Sequence, residues 1–173
     1  ENYQTGEKIP QVLIDRLQKA QTYLSAYACV RQLSFGMLDM AYHTLGRSVI
    51  NPRNAEVKAS FPQLQDIERF ERDPMASTQV MPTVDSCMMS TSFTHIFSGG
   101  YAAGYYGYKW AEVLDADAFS VFEKEGIFNK DTAKRFRKLL ESGDTVAPDE
   151  LYREFKGSDP TVEALMRRDG IIK

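Results

Sequence analysis

The sequence is poor in the residues that usually announce chemistry. In 173 residues it has two cysteines, two histidines and one tryptophan. Cys29 and Cys87 match no metal or redox spacing, so they read as idle or buried thiols in a reducing, cytoplasmic setting. With only His43 and His95, no His-Glu-x-x-His can be written. There is no Gly-x-Ser-x-Gly, and Cys87 has no identifiable base, which argues against a nucleophilic enzyme. No apolar run approaches the roughly 18–20 residues of a membrane span, and residues 1–8 lack the basic start, apolar stretch and cleavage site of a signal peptide. They also lack an initiator methionine, which is compatible with a piece of a longer protein. A net charge of −3 gives no reason to expect nucleic acid or an anionic membrane as partner.

What remains is a chain of ordinary globular composition, 43% hydrophobic and 26% charged, with helical periodicity and no useful strand alternation. Ile9, Leu13, Leu17, Ala20, Leu24 and Ala28, then Leu38, Tyr42 and Leu45, fall at helical spacing. Pro10 suits the first turn, Gly46 is a natural stop, and a bend or break is expected near Gly36. Leu33, Phe35, Met37, Leu38 and Met40 leave little room for a polar face, so this stretch should be deeply buried in a complete protein. Asn51-Pro52 opens a second helical stretch, interrupted at Pro62 and resuming through Leu64, Ile67 and Phe70. Residues 73–92 read as a long irregular segment. The helical signal returns from Trp110 to Phe122, and three shorter helices punctuated at both ends follow: one capped by Asn129 and stopped by Gly143, one from Pro148 to Gly157, and one from Asp159-Pro160 to Gly170. The chain is therefore expected to be mainly α, a single helical region over 1–173.

The stretch 93–110 is the exception to this regularity. It sets His95 before Gly99 and Gly100, then places Tyr101, Tyr105, Tyr106, Tyr108 and Trp110 within ten residues. Gly99, Gly100, Gly104 and Gly107 would each weaken an ordinary helix or strand by roughly 0.5–1 kcal/mol. They spell neither G-x-G-x-x-G nor a P-loop, which argues against nucleotide binding. If a helix begins near Tyr101, then Tyr101, Tyr105 and Tyr108 share one face at i, i+4 and i+7. Two readings stay open: an aromatic stripe packed into a core, or three neutral phenol donors facing a cleft, able to stabilise an oxyanion or hold a substrate carboxylate. Glu112, Asp115 and Asp117 form a carboxylate cluster best read as a solvated helix face, and His43 reads as structural or exposed.

At these residues the sequence resembles the thimet oligopeptidase family (M3) of zinc metallopeptidases. The resemblance rests on the stretch 95–110, continues through 111–119 and 122–128, and includes 3–10 and 152–157; it is weakest at about 47–80. It implies a multi-helical part of a zincin-type catalytic domain with a Gly/Tyr-rich active-site loop, hydrolysing short peptides. In that family a His-Glu-x-x-His helix and a downstream glutamate hold zinc, which lowers the pKa of a bound water and polarises the scissile carbonyl. The resemblance makes His95, Tyr101 and Tyr108 the catalytic candidates at the substrate or oxyanion. It makes Gly99, Gly100 and Tyr105 substrate-binding candidates, the glycines as a hinge. The zinc motif is absent from this sequence, so the chain is expected to be the C-terminal portion, with the metal ligands upstream in the same polypeptide. The full-length protein would use zinc, whereas this part alone would hold none and be inactive. Its partners would be short peptides and the upstream part of its own chain. The alternative is a non-enzymatic helical module that binds peptides through the aromatic loop.

Overall fold

The computed structural model describes residues 1–45 and 66–173. Among these residues there is helix and turn but no strand. The helices are α1 (Gln11–Gln21), α2 (Ser25–His43), α3 (Ile67–Met75), the short α4 (Thr94–Phe97), α5 (Gly107–Glu125), α6 (Lys130–Glu141), α7 (Pro148–Lys156) and α8 (Glu163–Arg168). The mainly α expectation is met. The stop at Gly46, the helical start at Asn51-Pro52 and the interruption at Pro62 lie outside the described residues.

Several boundaries follow directly from local chemistry. Asn129 accepts from the N–H groups of Asp131 and Thr132 at the start of α6. Pro148 occupies the first turn of α7 with Asp149 and Glu150 beside it, and Gly157 ends that helix at φ +89°. The expected bend near Gly36 does not occur: α2 runs through it, and the break falls at the Thr22–Leu24 turn, where Leu24 has φ +57°. Gly36 is buried against the backbone of Tyr106, so tertiary packing outweighs the weak helix propensity of glycine. The irregular segment is shorter than expected, because α3 continues past Pro74 and a 3-10 turn at Ala76–Thr78 follows.

The described chain forms two compact units, Glu1–Ala26 with Trp110–Lys173, and Tyr27–Lys109. In the first, Ala118, Tyr152 and Phe155 make a core flanked by Leu114, Val121, Phe122, Phe136 and Leu139. A second cluster joins Val113 and Ala116 of α5 to Leu165 of α8. The Ser25 hydroxyl donates to the Asp169 carbonyl at 2.5 Å, tying the N-terminal segment to the end of α8. Helix α1 buries none of its residues.

Asp117 overturns the solvated-face reading for its part of the carboxylate cluster. It is 2% exposed and accepts from Tyr152 Oη at 2.6 Å, from Lys156 Nζ at 2.6 Å and from Thr161 Oγ1 at 3.2 Å. Asp115, by contrast, is exposed and pairs with Arg168 at 2.6 Å. The pull of Asp117 on Lys156 and Thr161 also explains why α8 starts at Glu163 rather than at Asp159-Pro160. Lys156 donates to the Asp159 carbonyl at 3.1 Å as well, so 157–162 is spent reaching the carboxylate instead of coiling.

Burial opposes ionisation of Asp117, but hydrogen bonds from Lys156 and Tyr152, with the lysine charge, prevail and hold its carboxyl below the usual range. A depressed folded pKa gives stability that is complete above about pH 5 and lost as the pH falls through the folded value. Asp117→Ala should cost about 3–5 kcal/mol in denaturant unfolding at neutral pH, because Lys156 is left without its carboxylate. The wild type should lose part of its stability below about pH 4, and Asp117→Asn should lose less over that interval. Parallel acid profiles for the two would remove Asp117 from the acid response.

Candidate functional site

The site is built on α2 of the second unit. Its inward face places Leu38 with Phe93 and Ile96 in a core that Phe35, Tyr42, Met75, Met89 and Tyr105 surround. One residue on that face is charged. Asp39 is fully buried, and its two carboxylate oxygens accept from the backbone N–H of Ala103 and of Tyr105, each at 2.9 Å. His43 Nδ1 lies 2.8 Å from both the Asp39 carbonyl and its carboxylate, which gives this histidine the structural role the sequence suggested.

Ahead of the loop, Glu71 of α3 does comparable work. It is 3% exposed and accepts from the N–H of Met89 at 2.6 Å, the N–H of Ser90 at 2.8 Å and the Tyr42 hydroxyl at 2.9 Å. Burial is the largest cause that pushes the Tyr42 phenol up to about 12; the Glu71 carboxylate also raises it, and Ser90 opposes both. The segment entering Phe93 is thus held by a carboxylate rather than by a strand or a long helix.

From Thr94 the chain makes a single helical turn and then a run of tight turns. Ser98 and Gly99 both donate to the Thr94 carbonyl at 2.8 Å, and Tyr101 donates to that of His95 at 3.1 Å. Gly99 has a steric reason: a Cβ there would sit 2.8 Å from His95 Cα and 2.9 Å from its carbonyl oxygen. Gly100 has φ +81°, a left-handed conformation that glycine adopts without strain. Ala103 takes φ +54° without being glycine, at a position where Asp39 binds its N–H.

The structure brings together four of the candidate side chains. The His95 ring lies 6.0 Å from Tyr101, 6.1 Å from Tyr105 and 6.4 Å from Tyr108, centroid to centroid. Tyr108 is 5.0 Å from Tyr101 and 5.1 Å from Tyr105. The route differs from the one expected. Helix α5 begins at Gly107, so only Tyr108 is helical, and Tyr101 and Tyr105 reach the cluster from turns rather than from an i, i+4, i+7 stripe. Only Tyr105 is packed against the core; Tyr101 and Tyr108 are 39% and 41% exposed, and His95 is exposed. Hydrogen bonding with Tyr101 raises the Tyr108 phenol, and burial raises that of Tyr105, so both stay protonated donors at neutral pH.

These rings form an open cluster on a loop that Asp39 holds. The family model for peptidase family M3 matches residues 1–171. The chain belongs to peptidase family M3. It is 40% identical over 173 residues to oligopeptidase A of Haemophilus influenzae, covering 99% of this chain and 23% of that protein. The probable cytosolic oligopeptidase A of Arabidopsis thaliana is 40% identical over 176 residues, again 99% and 23% of the two chains. A dipeptidyl carboxypeptidase of Escherichia coli is 30% identical over 172 residues, 98% and 23%. The chain thus spans about a quarter of the length of these M3 relatives.

Zinc is the metal that family M3 implies, and the described residues of this chain gather no ligand set for it. Among the described residues no three of His, Cys, Asp and Glu converge as ligands, His95 faces phenols, and His43 is engaged by Asp39. The sequence reasoning that singled out 93–110 missed Asp39, which binds its backbone at Ala103 and Tyr105, and Glu71, which binds the segment ahead of it at Met89 and Ser90. A single acid within the apolar stretch 33–40 was the available signal for the first. Asp39→Ala should leave the N–H groups of Ala103 and Tyr105 without their acceptor, at about 1–3 kcal/mol each. Hydrogen exchange should quicken at those two amides while α7 stays protected; unchanged exchange at 103 and 105 would show that the loop holds itself.

Proposed function

We propose that this chain is the substrate- and oxyanion-gripping part of a zinc oligopeptidase that hydrolyses short peptides in the cytoplasm. The observation that carries this reading is the convergence of exposed His95, Tyr101 and Tyr108 around half-buried Tyr105, beside a loop fixed by a buried carboxylate. The similarity to oligopeptidase A over almost the whole chain supports it. The zinc ligands then belong to the upstream part of the same polypeptide, and this chain is its C-terminal portion.

The work of this chain's own residues is differential hydrogen bonding. A tetrahedral intermediate concentrates negative charge on the former carbonyl oxygen, and neutral donors already aimed at that point stabilise it without reorganising. Tyr101 and Tyr108 are exposed and adjacent, their rings 5.0 Å apart, which suits that task; His95 adds a third donor beside them. Tyr105 is anchored in the core and offers its edge to the peptide. Gly99 and Gly100 shape the approach, the first by letting the backbone fold back on His95, the second by turning the chain toward Tyr101. Among the described residues no helix is long and apolar enough to cross a membrane.

In the full-length polypeptide, Tyr108→Phe should lower kcat by about 10²–10³ with little change in KM, as expected for a donor that acts chiefly in the transition state. An unchanged kcat would remove Tyr108 from the mechanism. The 173-residue chain alone, supplied with zinc and a fluorogenic peptide, should show no turnover. Robust turnover would contradict the assignment of the metal site to the upstream part, and peptide binding by a full-length protein that never hydrolyses would favour a binding module.

A further inference from the structure

On the second unit, Arg31, Phe35, Met75, Met81 and Met89 help to line a pocket of about 170 Å3. At roughly 30 Å3 per water this is room for five or so waters, or for one amino-acid side chain. Its lining is mixed: Arg31, Ser34, Thr78 and Gln79 bring polar atoms, and Phe35 with three adaptable methionines brings the apolar part. Its charge comes from Arg31, whose guanidinium carbon stands 5.1 Å above the Phe35 ring. Stacking on an aromatic face orients the planar guanidinium and leaves its N–H edges available. Among the described residues no carboxylate pairs with Arg31 and no acceptor takes its N–H groups, whereas Arg72, Arg135, Arg137, Arg153 and Arg168 all pair with acids.

The pocket adjoins the aromatic cluster. Phe35 stands between them, its ring 5.9 Å from Tyr105, and Tyr105 in turn is 5.1 Å from Tyr108. Burial raises the Tyr105 phenol, and the positive charge of Arg31 is near enough to oppose that rise. A peptide held at the phenols therefore has a cation-bearing pocket of side-chain size one ring away.

We propose that this pocket is a specificity subsite for the bound peptide, in which Arg31 recognises a carboxylate while Phe35 and the methionines hold the adjoining methylenes. The inference rests on the peptide-binding reading of the tyrosine cluster. The carboxylate has two possible sources, an acidic side chain or the free C-terminus of the peptide, and both offer the two coplanar oxygens that suit a guanidinium.

The test is binding of fluorescein-labelled pentapeptides to the full-length protein, followed by anisotropy. One set carries Glu or Gln at each position in turn with an amidated C-terminus; the other carries Gln throughout with a free or amidated C-terminus. A preference of about tenfold for one carboxylate-bearing peptide over its neutral partner is expected, and which set shows it identifies the source. Arg31→Gln should abolish the preference and leave binding of the neutral peptides unchanged, which also reports that the variant is folded. Arg31→Lys should retain part of it. Equal weakening of acidic and neutral peptides, or no preference in the wild type, would overturn the subsite. Preferential binding that Arg31→Gln erases, without turnover of any peptide, would keep the subsite and sink the peptidase reading. Turnover without an Arg31-dependent preference would do the reverse.

Discussion

Asp39 is the residue on which the loop depends. Its carboxylate lies in the apolar face of α2, fully out of water, where an unpaired charge would be prohibitively costly. Two backbone N–H groups from a segment more than sixty residues away meet both oxygens, and His43 closes the remaining side. The energetics run both ways. The carboxylate is tolerated because the loop satisfies it, and the loop keeps a left-handed alanine at 103 because the carboxylate binds it there. That bond fixes the turn that brings Tyr101 toward Tyr108, while Tyr105 is held there also by the core and by the Tyr108 N–H, which donates to its carbonyl at 3.2 Å.

The same device recurs with different partners. Glu71 receives the N–H groups of Met89 and Ser90, and so fixes the turn leading into Phe93. Asp117, in the other unit, gathers Tyr152, Lys156 and Thr161 and sets where the last helix can begin. In each case an irregular stretch is ordered by a buried carboxylate. Charge-assisted bonds of this kind are stronger than neutral ones, and they supply geometry where regular helix is absent. In the proposed reading, a rigid support lets neutral phenols act as preorganised donors without losing side-chain freedom at each binding event.

Much of the helical framework was legible in particular residues. Asn129, Pro148, Gly157 and Gly170 act locally, so their positions could be read from a few neighbours, and the structure puts their helix ends where that reading did. Gly36 misled because its weak propensity is a local quantity, whereas its burial against Tyr106 depends on a segment seventy residues away. Pro160 misled for a similar reason: its fixed φ suits a helix start, but Lys156 and Thr161 were already committed to Asp117.

The resemblance to family M3 was carried chiefly by the order of residues in 95–110, with 3–10, 111–119, 122–128 and 152–157 beside it, and the choice of His95, Tyr101 and Tyr108 came from that resemblance; an order of residues needs no spatial partner to be recognised. That these rings meet was decided by tertiary structure. A helical stripe would have aligned the tyrosines by periodicity; the chain instead folds Tyr101 and Tyr105 through turns whose N–H groups end on Asp39. Sequence determines such an outcome only through contacts between distant segments, and a carboxylate's choice of two amides more than sixty positions away leaves no local trace.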